Sequence, residues 1–298
     1  MTSSTSDRPP YAAPHDPNPR KPQVPVPALA CDTHAHVFGP GNTYPFIPNG
    51  LYTPADALLP DFRHMLDTLG IVRAVLVQPS IYGTNNDCML EALKQDTKRL
   101  RGIAVIPFDA DSKAIERLHA QGVRGVRCNI VDLKTGAGQL PLEPLRALAK
   151  RIQPLGWHVE FLMHVDEFPS LDRQLADFPV EVSFGHLGYV PAAKGTEPPG
   201  FKALLRLMRD GRAWVKLTAP YRLTLSEMPY PDVDPFAQAL LDAAPQRLVW
   251  GSDWPHVLVK SKMPDDGGLL DVLARWVPDD KTRRAILVDN PAKLYDFK

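Results

Sequence analysis

Apolar residues follow two spacings along this chain, and the two spacings alternate. Short continuous apolar runs, such as those at 73–78 and 123–128, are followed by longer stretches in which apolar residues recur every three or four positions. Continuous runs are typical of parallel strands covered on both faces, and the wider spacing is typical of amphipathic helices. The pattern predicts eight strands, at residues 28–36, 73–78, 101–106, 123–128, 158–163, 180–184, 213–217 and 247–250.

Helices are predicted between these strands. Thr53 followed by Pro54 indicates a helix start, because Thr is a good N-cap and Pro fits the first turn. Pro60 restarts that helix and Gly70 ends it. Further helices are predicted at residues 87–97, 112–121, 141–155, 170–178, 201–209 and 234–244, and near 269–276 and 279–288.

Eight strand–helix units in about 270 residues fit an α/β fold of the (β/α)8 TIM-barrel type. A doubly wound open sheet is the alternative. Its nucleotide-binding versions lack support, because no G-x-G-x-x-G follows the first strand and no P-loop motif occurs in the sequence.

The first 27 residues differ from the rest of the chain. They contain eight prolines and few apolar residues. This composition predicts an extended, partly disordered arm that lies across the body of the protein or across a partner subunit. Residues 28–298 are predicted to form the barrel domain, and the sequence leaves an oligomer open.

Charge and composition narrow the function classes. Thirty-four basic residues balance thirty-four acidic ones, so no overall field favours nucleic acid or an anionic membrane. No apolar stretch approaches about 18 residues, and the start lacks the pattern of a secretory signal. Cys31, Cys88 and Cys128 are widely spaced without a C-x-x-C. We therefore expect a cytoplasmic protein with neither a disulfide framework nor a structural zinc site.

The segment CDTHAH at 31–36 carries the first candidate chemistry. Residues two apart in a strand point the same way, so His34 and His36 can converge at the carboxyl end of the first strand. Imidazoles there can bind a metal, polarise a carbonyl or move a proton. An isolated pair would more often be satisfied by loop hydrogen bonds, and only the partners at later strand ends favour a site.

The carboxyl ends of all strands share one face of a barrel, and chemistry sits at that face. The later strand ends carry Gln78, Ser80, Arg127, Asn129, His186, Tyr221, Arg222, Asp253 and His256. Asp253 follows a buried strand, where a carboxylate can ligate a metal, deprotonate a water or cap a turn. Arg127 and Arg222 suit bidentate binding of substrate carboxylates, or structural ion pairs. Glu160 on the fifth strand is a further candidate metal ligand.

Five segments together resemble the amidohydrolase superfamily, and within it the 2-pyrone-4,6-dicarboxylate hydrolase (lactonase) family. They are CDTHAHVFGP at 31–40, GVR at 125–127, GHLG at 185–188, GSDWPH at 251–256 and NPAKLY at 290–295. The resemblance runs from about residue 28 to the end of the chain. It is specific for this branch of the superfamily and less specific for the substrate.

The resemblance implies a hydrolase that opens a small, anionic, carboxylated lactone without a metal. It implies that His34, His36 and His186 polarise the lactone carbonyl and that Asp253 activates water. The substrate-binding residues that it implies are Arg127, Arg222, Tyr52, Ser80 and His256.

Two departures from the family pattern bear on the substrate. The family places a second arginine shortly after the one matching Arg127, whereas this sequence reads NIVDLK at 129–134 and offers Lys134 as the substitute. The family also has a tyrosine on the fifth strand where this sequence has Phe161. A changed anion contact favours a lactone related to the pyrone dicarboxylate.

Three other functions stay open on the sequence. A metal-dependent decarboxylase or hydratase of the same superfamily would hold a single zinc or manganese on His34, His36, His186 and Asp253. An arginine on the fourth strand argues against it, because it repels a cation. A sugar-acid lactonase is another alternative. A non-catalytic small-acid binding protein would keep the arginines but would have no need of a water-activating aspartate.

Overall fold

Eight parallel strands form one sheet, and their order in the sheet is their order in the chain. The computed structural model describes residues 11–133 and 138–298, with the side chains of all of these except 132 and 133. The strands are β1 (Cys31–Ala35), β2 (Arg73–Val77), β3 (Leu100–Ala104), β4 (Val123–Asn129), β5 (His158–Leu162), β6 (Val182–Phe184), β7 (Ala213–Thr218) and β8 (Leu248–Gly251). The predicted barrel is confirmed.

The sheet closes where β1 meets the end of β8. His36 N donates to Trp254 O at 2.8 Å, and Asp253 N donates to His34 O at 2.8 Å. These bonds run between the histidine segment and the GSDWPH segment. Closure therefore holds His34, His36 and Asp253 beside one another at the carboxyl ends of the strands, the end at which (β/α)8 barrels carry their chemistry.

Eleven α-helices occur in the described residues, most of them covering the outside of the barrel. They are α1 (Leu59–Leu69), α2 (Asp87–Lys94), α3 (Ser112–Ala120), α4 (Ile130–Leu133), α5 (Leu142–Ile152), α6 (Leu171–Gln174), α7 (Pro199–Arg209), α8 (Asp234–Ala243), α9 (Asp266–Trp276), α10 (Asp280–Arg284) and α11 (Asn290–Tyr295). A π-helical turn at Ala285–Asp289 joins the last two. One-turn 3₁₀ helices lie at Ser80–Tyr82, Gln153–Leu155, Val165–Glu167, His186–Gly188, Ala192–Lys194, Pro220–Arg222, Pro231–Val233 and Pro245–Arg247. None of the helices of the described chain is long and apolar enough to span a membrane.

Two helix predictions were wrong in extent. No helix begins at Thr53, because that segment is extended. Thr53 O accepts a bond from Ala12 N at 2.8 Å, and Phe38 pairs with Ala57 in an antiparallel bridge. The segment predicted as a helix at 170–178 forms only the four-residue α6.

Residues 20–23 of the proline-rich segment lie against α9. Arg20 pairs with Asp265 at 3.1 Å and with Asp271 at 2.7 Å, and Gln23 N donates to Asp271 at 2.7 Å. A Cβ at Gly267 would come within 2.2 Å of Arg20 O, so glycine is required where the arm crosses the helix. The predicted disorder of residues 1–10 falls outside the described residues.

Candidate active site

A cavity of about 120 Å³ opens at the carboxyl ends of the strands. Its polar lining combines residues from β1, β2, β4, β6, β7 and β8 and the loops that follow them: Tyr52, His36, Ser80, Arg127, Asn129, His186, Tyr189, Arg222 and Asp253. Seven of the ten residues predicted from the sequence are in this lining: Tyr52, His36, Ser80, Arg127, His186, Arg222 and Asp253. His34 lies directly behind the lining, in contact with Asp253. A wider groove of about 730 Å³ adjoins the cavity and shares Tyr189 and Arg222 with it.

The two oxygens of Asp253 have different surroundings. Oδ2 accepts the Tyr221 hydroxyl at 2.7 Å and Arg222 Nε at 2.8 Å. Oδ1 lies 3.5 Å from His34 Nε2 and 3.7 Å from His36 Nε2, and it has no hydrogen-bond partner among the described residues. Oδ2 is therefore saturated, and Oδ1 is the oxygen available to a bound molecule.

Asp253 is ionised in this setting. Burial raises the pKa of its carboxyl group, but the Arg222 guanidinium and the neighbouring His186 and His34 together hold the pKa well below its usual range. A buried carboxylate next to a paired guanidinium keeps its charge at neutral pH. Asp253 can thus accept a proton from water.

The three histidines are neutral. Burial lowers the pKa of His34, His36 and His186, since all three side chains are nearly inaccessible to water. His36 Nδ1 lies 2.7 Å from Val77 O, which only accepts, so Nδ1 carries the proton and Nε2 bears the lone pair. His186 has a φ of +51° at the turn after β6, and its Nδ1 has no partner among the described residues.

The strand ends that carry these groups are fixed by a buried carboxylate on β1. Asp32 Oδ1 accepts the backbone N–H groups of His34 and Ser252, each at 3.0 Å, and Oδ2 accepts the Ser252 hydroxyl at 2.5 Å. Burial raises the pKa of Asp32 to about 6, although these hydrogen bonds oppose the shift. Asp32 thereby ties β1 to the turn that presents Asp253.

His256 does not line the cavity, which corrects the role implied by the resemblance. Its side chain is buried, with Nδ1 3.1 Å from the Tyr221 hydroxyl and Nε2 2.9 Å from Asp266 Oδ1. The His256 side chain therefore contacts the Asp253 carboxylate through the Tyr221 hydroxyl. Sequence reasoning gave neither Tyr221 nor Asp266 a role, because the contact depends on how α9 packs beneath the β8 turn.

Lys216 is a third residue to which the sequence reasoning assigned no role. It lies within the apolar run AWVKLT of β7 and is fully buried. Its Nζ lies 2.5 Å from Glu160 Oε2, 2.8 Å from Thr33 O and 3.2 Å from His34 Nδ1. A lysine inside a buried strand was the available signal, since an unpaired charge there is costly.

Phe161, which stands where the family has a tyrosine on the fifth strand, does not face the cavity. Phe161 points to the outer layer of the barrel, where its ring stacks on Phe184 at 5.7 Å. The residue of β5 that lines the cavity is Leu162. Lys134, the predicted substitute for the second family arginine, lies outside the described residues.

His34, His36 and Asp253 offer three ligand atoms within 4.8 Å of one another, a spacing that suits a metal ion. Several positive charges lie around the three atoms. The Lys216 ammonium touches His34, and Arg222 Nη2 lies 2.7 Å from Asp253. Arg127 adds a third cation, whose charge contributes to the lowered pKa of His36. These positive charges oppose the binding of a divalent ion, and the carboxylates of Glu160 and Asp253 offset part of them.

The amidohydrolase family model matches residues 31–297 of this chain. Two curated relatives are each 38% identical to it. A 2-pyrone-4,6-dicarboxylate hydrolase of Comamonas testosteroni aligns over 287 residues, 93% of either chain, and a 4-sulfomuconolactone hydrolase of Rhizobium radiobacter aligns over 272 residues, 91% of either chain.

A solved structure has the same fold. It is a probable 2-pyrone-4,6-dicarboxylic acid hydrolase from Acinetobacter baumannii with citric acid bound, and it superposes with a TM-score of 0.80 at 31% identity. The match covers 90% of this chain and all of that one.

Proposed function

The chain belongs to the amidohydrolase family, and we propose that it is a hydrolase that opens a small carboxylated lactone with water. The single observation that carries this proposal is the geometry of Asp253. Its Oδ2 is saturated by Tyr221 and Arg222, and its Oδ1 faces the histidines without a partner in the described chain. One free carboxylate oxygen beside neutral imidazoles is the arrangement that base-catalysed attack on a carbonyl requires.

The proposed reaction needs a base that deprotonates water and hydrogen-bond donors that stabilise the oxyanion. A water held between Asp253 Oδ1 and the lone pair of His36 Nε2 donates one hydrogen bond to each of these acceptors. Its oxygen attacks the lactone carbonyl carbon, and Asp253 takes a proton as the new C–O bond forms. Imidazole N–H groups of the histidine cluster stabilise the oxyanion.

Collapse of the tetrahedral intermediate restores the starting state of the enzyme. The ring C–O bond breaks, and the leaving oxygen takes the proton from Asp253. The products are a carboxylic acid, which releases its proton to solvent, and a hydroxyl group, or its keto form where the leaving oxygen was an enolate. Asp253 ends ionised, as it began.

The cations of the cavity support a carboxylated substrate. Arg127 lines the cavity and donates one N–H to Gln78 O at 3.0 Å. Arg222 lines the same wall. A guanidinium recognises a carboxylate through paired N–H bonds. The relatives named above are hydrolases of a dicarboxylated pyrone and of a sulfonated lactone, both anionic.

We further propose that this chemistry needs no metal. The support is the positive charges beside the histidines and the aspartate: Lys216 contacts His34, and Arg222 contacts Asp253. The rival function is a metal-dependent decarboxylase or hydratase on the same histidines and aspartate.

A panel of purified substrates tests the proposal. The panel contains 2-pyrone-4,6-dicarboxylate, a sulfonated muconolactone, a sugar-acid lactone and an uncharged lactone, assayed with and without a chelator. We expect the protein to hydrolyse an anionic, unsaturated lactone at a rate that the chelator does not lower. Decarboxylation that is lost with chelator and restored by stoichiometric zinc would instead establish the rival.

A further inference from the structure

A lysine and a glutamate form a buried ion pair beneath the histidine cluster. Lys216 on β7 and Glu160 on β5 are 0% and 1% exposed, and Nζ lies 2.5 Å from Oε2. Neither side chain reaches the cavity, so neither touches a bound molecule. Two opposite charges buried inside a barrel need a reason beyond stability, because an apolar pair of similar volume would often serve as well.

The surroundings of Lys216 Nζ determine which nitrogen of His34 carries the proton. An ammonium has three N–H donors and no lone pair. Its three neighbours here are Glu160 Oε2, Thr33 O at 2.8 Å and His34 Nδ1 at 3.2 Å. The ammonium, at 3.2 Å, is closer to His34 Nδ1 than the acceptor Glu160 Oε1, at 3.4 Å, and it can only donate, so Nδ1 holds the lone pair. In neutral His34 the proton then sits on Nε2.

The other nitrogen of His34 points into the site. Nε2 lies 3.5 Å from Asp253 Oδ1 and has no hydrogen-bond partner in the described part of the chain. A protonated Nε2 is a donor, and a donor is what a developing oxyanion needs. It is the wrong form for a metal ligand, because a metal-bound imidazole nitrogen must offer its lone pair.

We propose that Lys216 and Glu160 are positioning residues that hold His34 with its proton on Nε2, which makes His34 a hydrogen-bond donor to the substrate and disables it as a metal ligand. Glu160 keeps the Lys216 ammonium in place, and the ammonium determines which nitrogen of the His34 imidazole carries the proton. The donor role toward a lactone oxygen rests on the proposed function, whereas the position of the proton does not.

Removing the ammonium should reverse this arrangement. Glu160 Oε1 lies 3.4 Å from His34 Nδ1. Without Lys216 the carboxylate can accept a proton from Nδ1, which leaves the lone pair on Nε2. A carboxylate behind a histidine whose other nitrogen faces a cation is the arrangement found around metal ligands. The variant Lys216→Met should therefore bind zinc more tightly than the natural protein does.

The position of the proton can be measured without substrate. Protein labelled with ¹⁵N in histidine is examined by long-range ¹H–¹⁵N spectra, in which the protonated and unprotonated ring nitrogens have separate shifts. His34→Gln identifies the His34 signals among the nine histidines. We expect Nε2–H in the natural protein and Nδ1–H in Lys216→Met. Lys194→Met, which removes a half-exposed lysine paired with Asp166, should change neither signal.

Zinc binding supplies the second measurement. By calorimetry and elemental analysis, Lys216→Met should bind zinc about 10- to 100-fold more tightly than the natural protein and than Lys194→Met. An Nδ1–H signal for His34 in the natural protein overturns the proposal, even if Lys216→Met does not fold. So does a folded Lys216→Met that keeps Nε2–H. A protein with Nε2–H that opens no lactone would overturn the proposed function alone.

Discussion

Arg222 Nε donates to Oδ2 of Asp253 at 2.8 Å, and Arg222 Nη2 lies 2.7 Å from the same oxygen. Arg222 also lines the cavity. The sequence suggested that this arginine holds a substrate carboxylate, but in the structure its nearest carboxylate is that of the proposed base. Arg222 therefore sets the proton affinity of Asp253 as well as the charge of the cavity wall.

Arg222→Met should change the pH dependence of the reaction. Removing the guanidinium removes the main attraction that holds the pKa of Asp253 low, so that pKa rises. The base is active only when ionised, and kcat/KM should therefore begin to fall at a higher pH as the solution is acidified. The measurement is a pH profile of kcat/KM from pH 4 to 9.

The control for that profile is Arg206→Met. Arg206 pairs with Asp172 on the outside of the barrel, 2.7 Å from its carboxylate, and its loss should leave the profile unchanged. An Arg222→Met profile whose acid limb stays in place would show that another group is the base.

Arg127→Met should act on binding. Arg127 is 9% exposed and lies in the cavity wall with one N–H on Gln78 O. A substrate carboxylate left without its guanidinium loses about 2–5 kcal/mol of binding. KM for a dicarboxylated lactone should rise strongly, while KM for an uncharged lactone should change little. Equal effects on both substrates would assign Arg127 a structural role.

The strand ends could be predicted from the sequence because each follows a continuous apolar run, and a parallel barrel sends all those ends to one face. That argument brought His36, Arg127, His186 and Asp253 together correctly. It could not say which oxygen of Asp253 is free. That depends on the Tyr221 hydroxyl and the Arg222 guanidinium, whose directions are set by the 3₁₀ turn after β7.

The residues that act from behind the cavity could not be predicted from the sequence pattern. Lys216 looks like an interruption of an apolar run until β5 is known to place Glu160 within 2.5 Å of it. Asp266 precedes the helix predicted near 269–276, and only the packing of α9 shows that it contacts His256. The error at Thr53 has a similar cause, since a backbone bond from Ala12, 41 residues away, keeps that segment extended.

His256→Leu should destabilise the protein. His256 Nε2 lies 2.9 Å from Asp266, and both side chains are buried. Leucine would leave the Asp266 carboxylate buried without a partner, at a cost of about 3–5 kcal/mol. The free energy of unfolding in urea measures this. Asp172→Asn, which breaks the ion pair with Arg206 on the surface, should cost under about 1 kcal/mol. Similar losses in both variants would contradict the buried contact.

Asp32→Asn should change how stability depends on pH. The folded-state pKa of Asp32 is raised to about 6, so the folded protein binds this proton more tightly than the unfolded chain does. Stability therefore falls as pH rises from about 4 to about 6, by about 3 kcal/mol for a shift of about two units. Asn carries no such proton. The free energy of unfolding in urea, measured at pH 4.5 and at pH 7, should fall more between these two values for the natural protein than for Asp32→Asn. An equal change in both proteins would contradict the raised pKa of Asp32.

The most direct test of the account is the turnover of a single variant, Asp253→Asn, on the best lactone of the panel. Asparagine keeps the shape and the contacts of Oδ2 but cannot take a proton from water at Oδ1. We expect kcat to fall by roughly 10²–10⁴-fold, with KM and the urea midpoint close to those of the natural protein. A folded Asp253→Asn protein with near-normal kcat would contradict the account, because water would then be activated by another group.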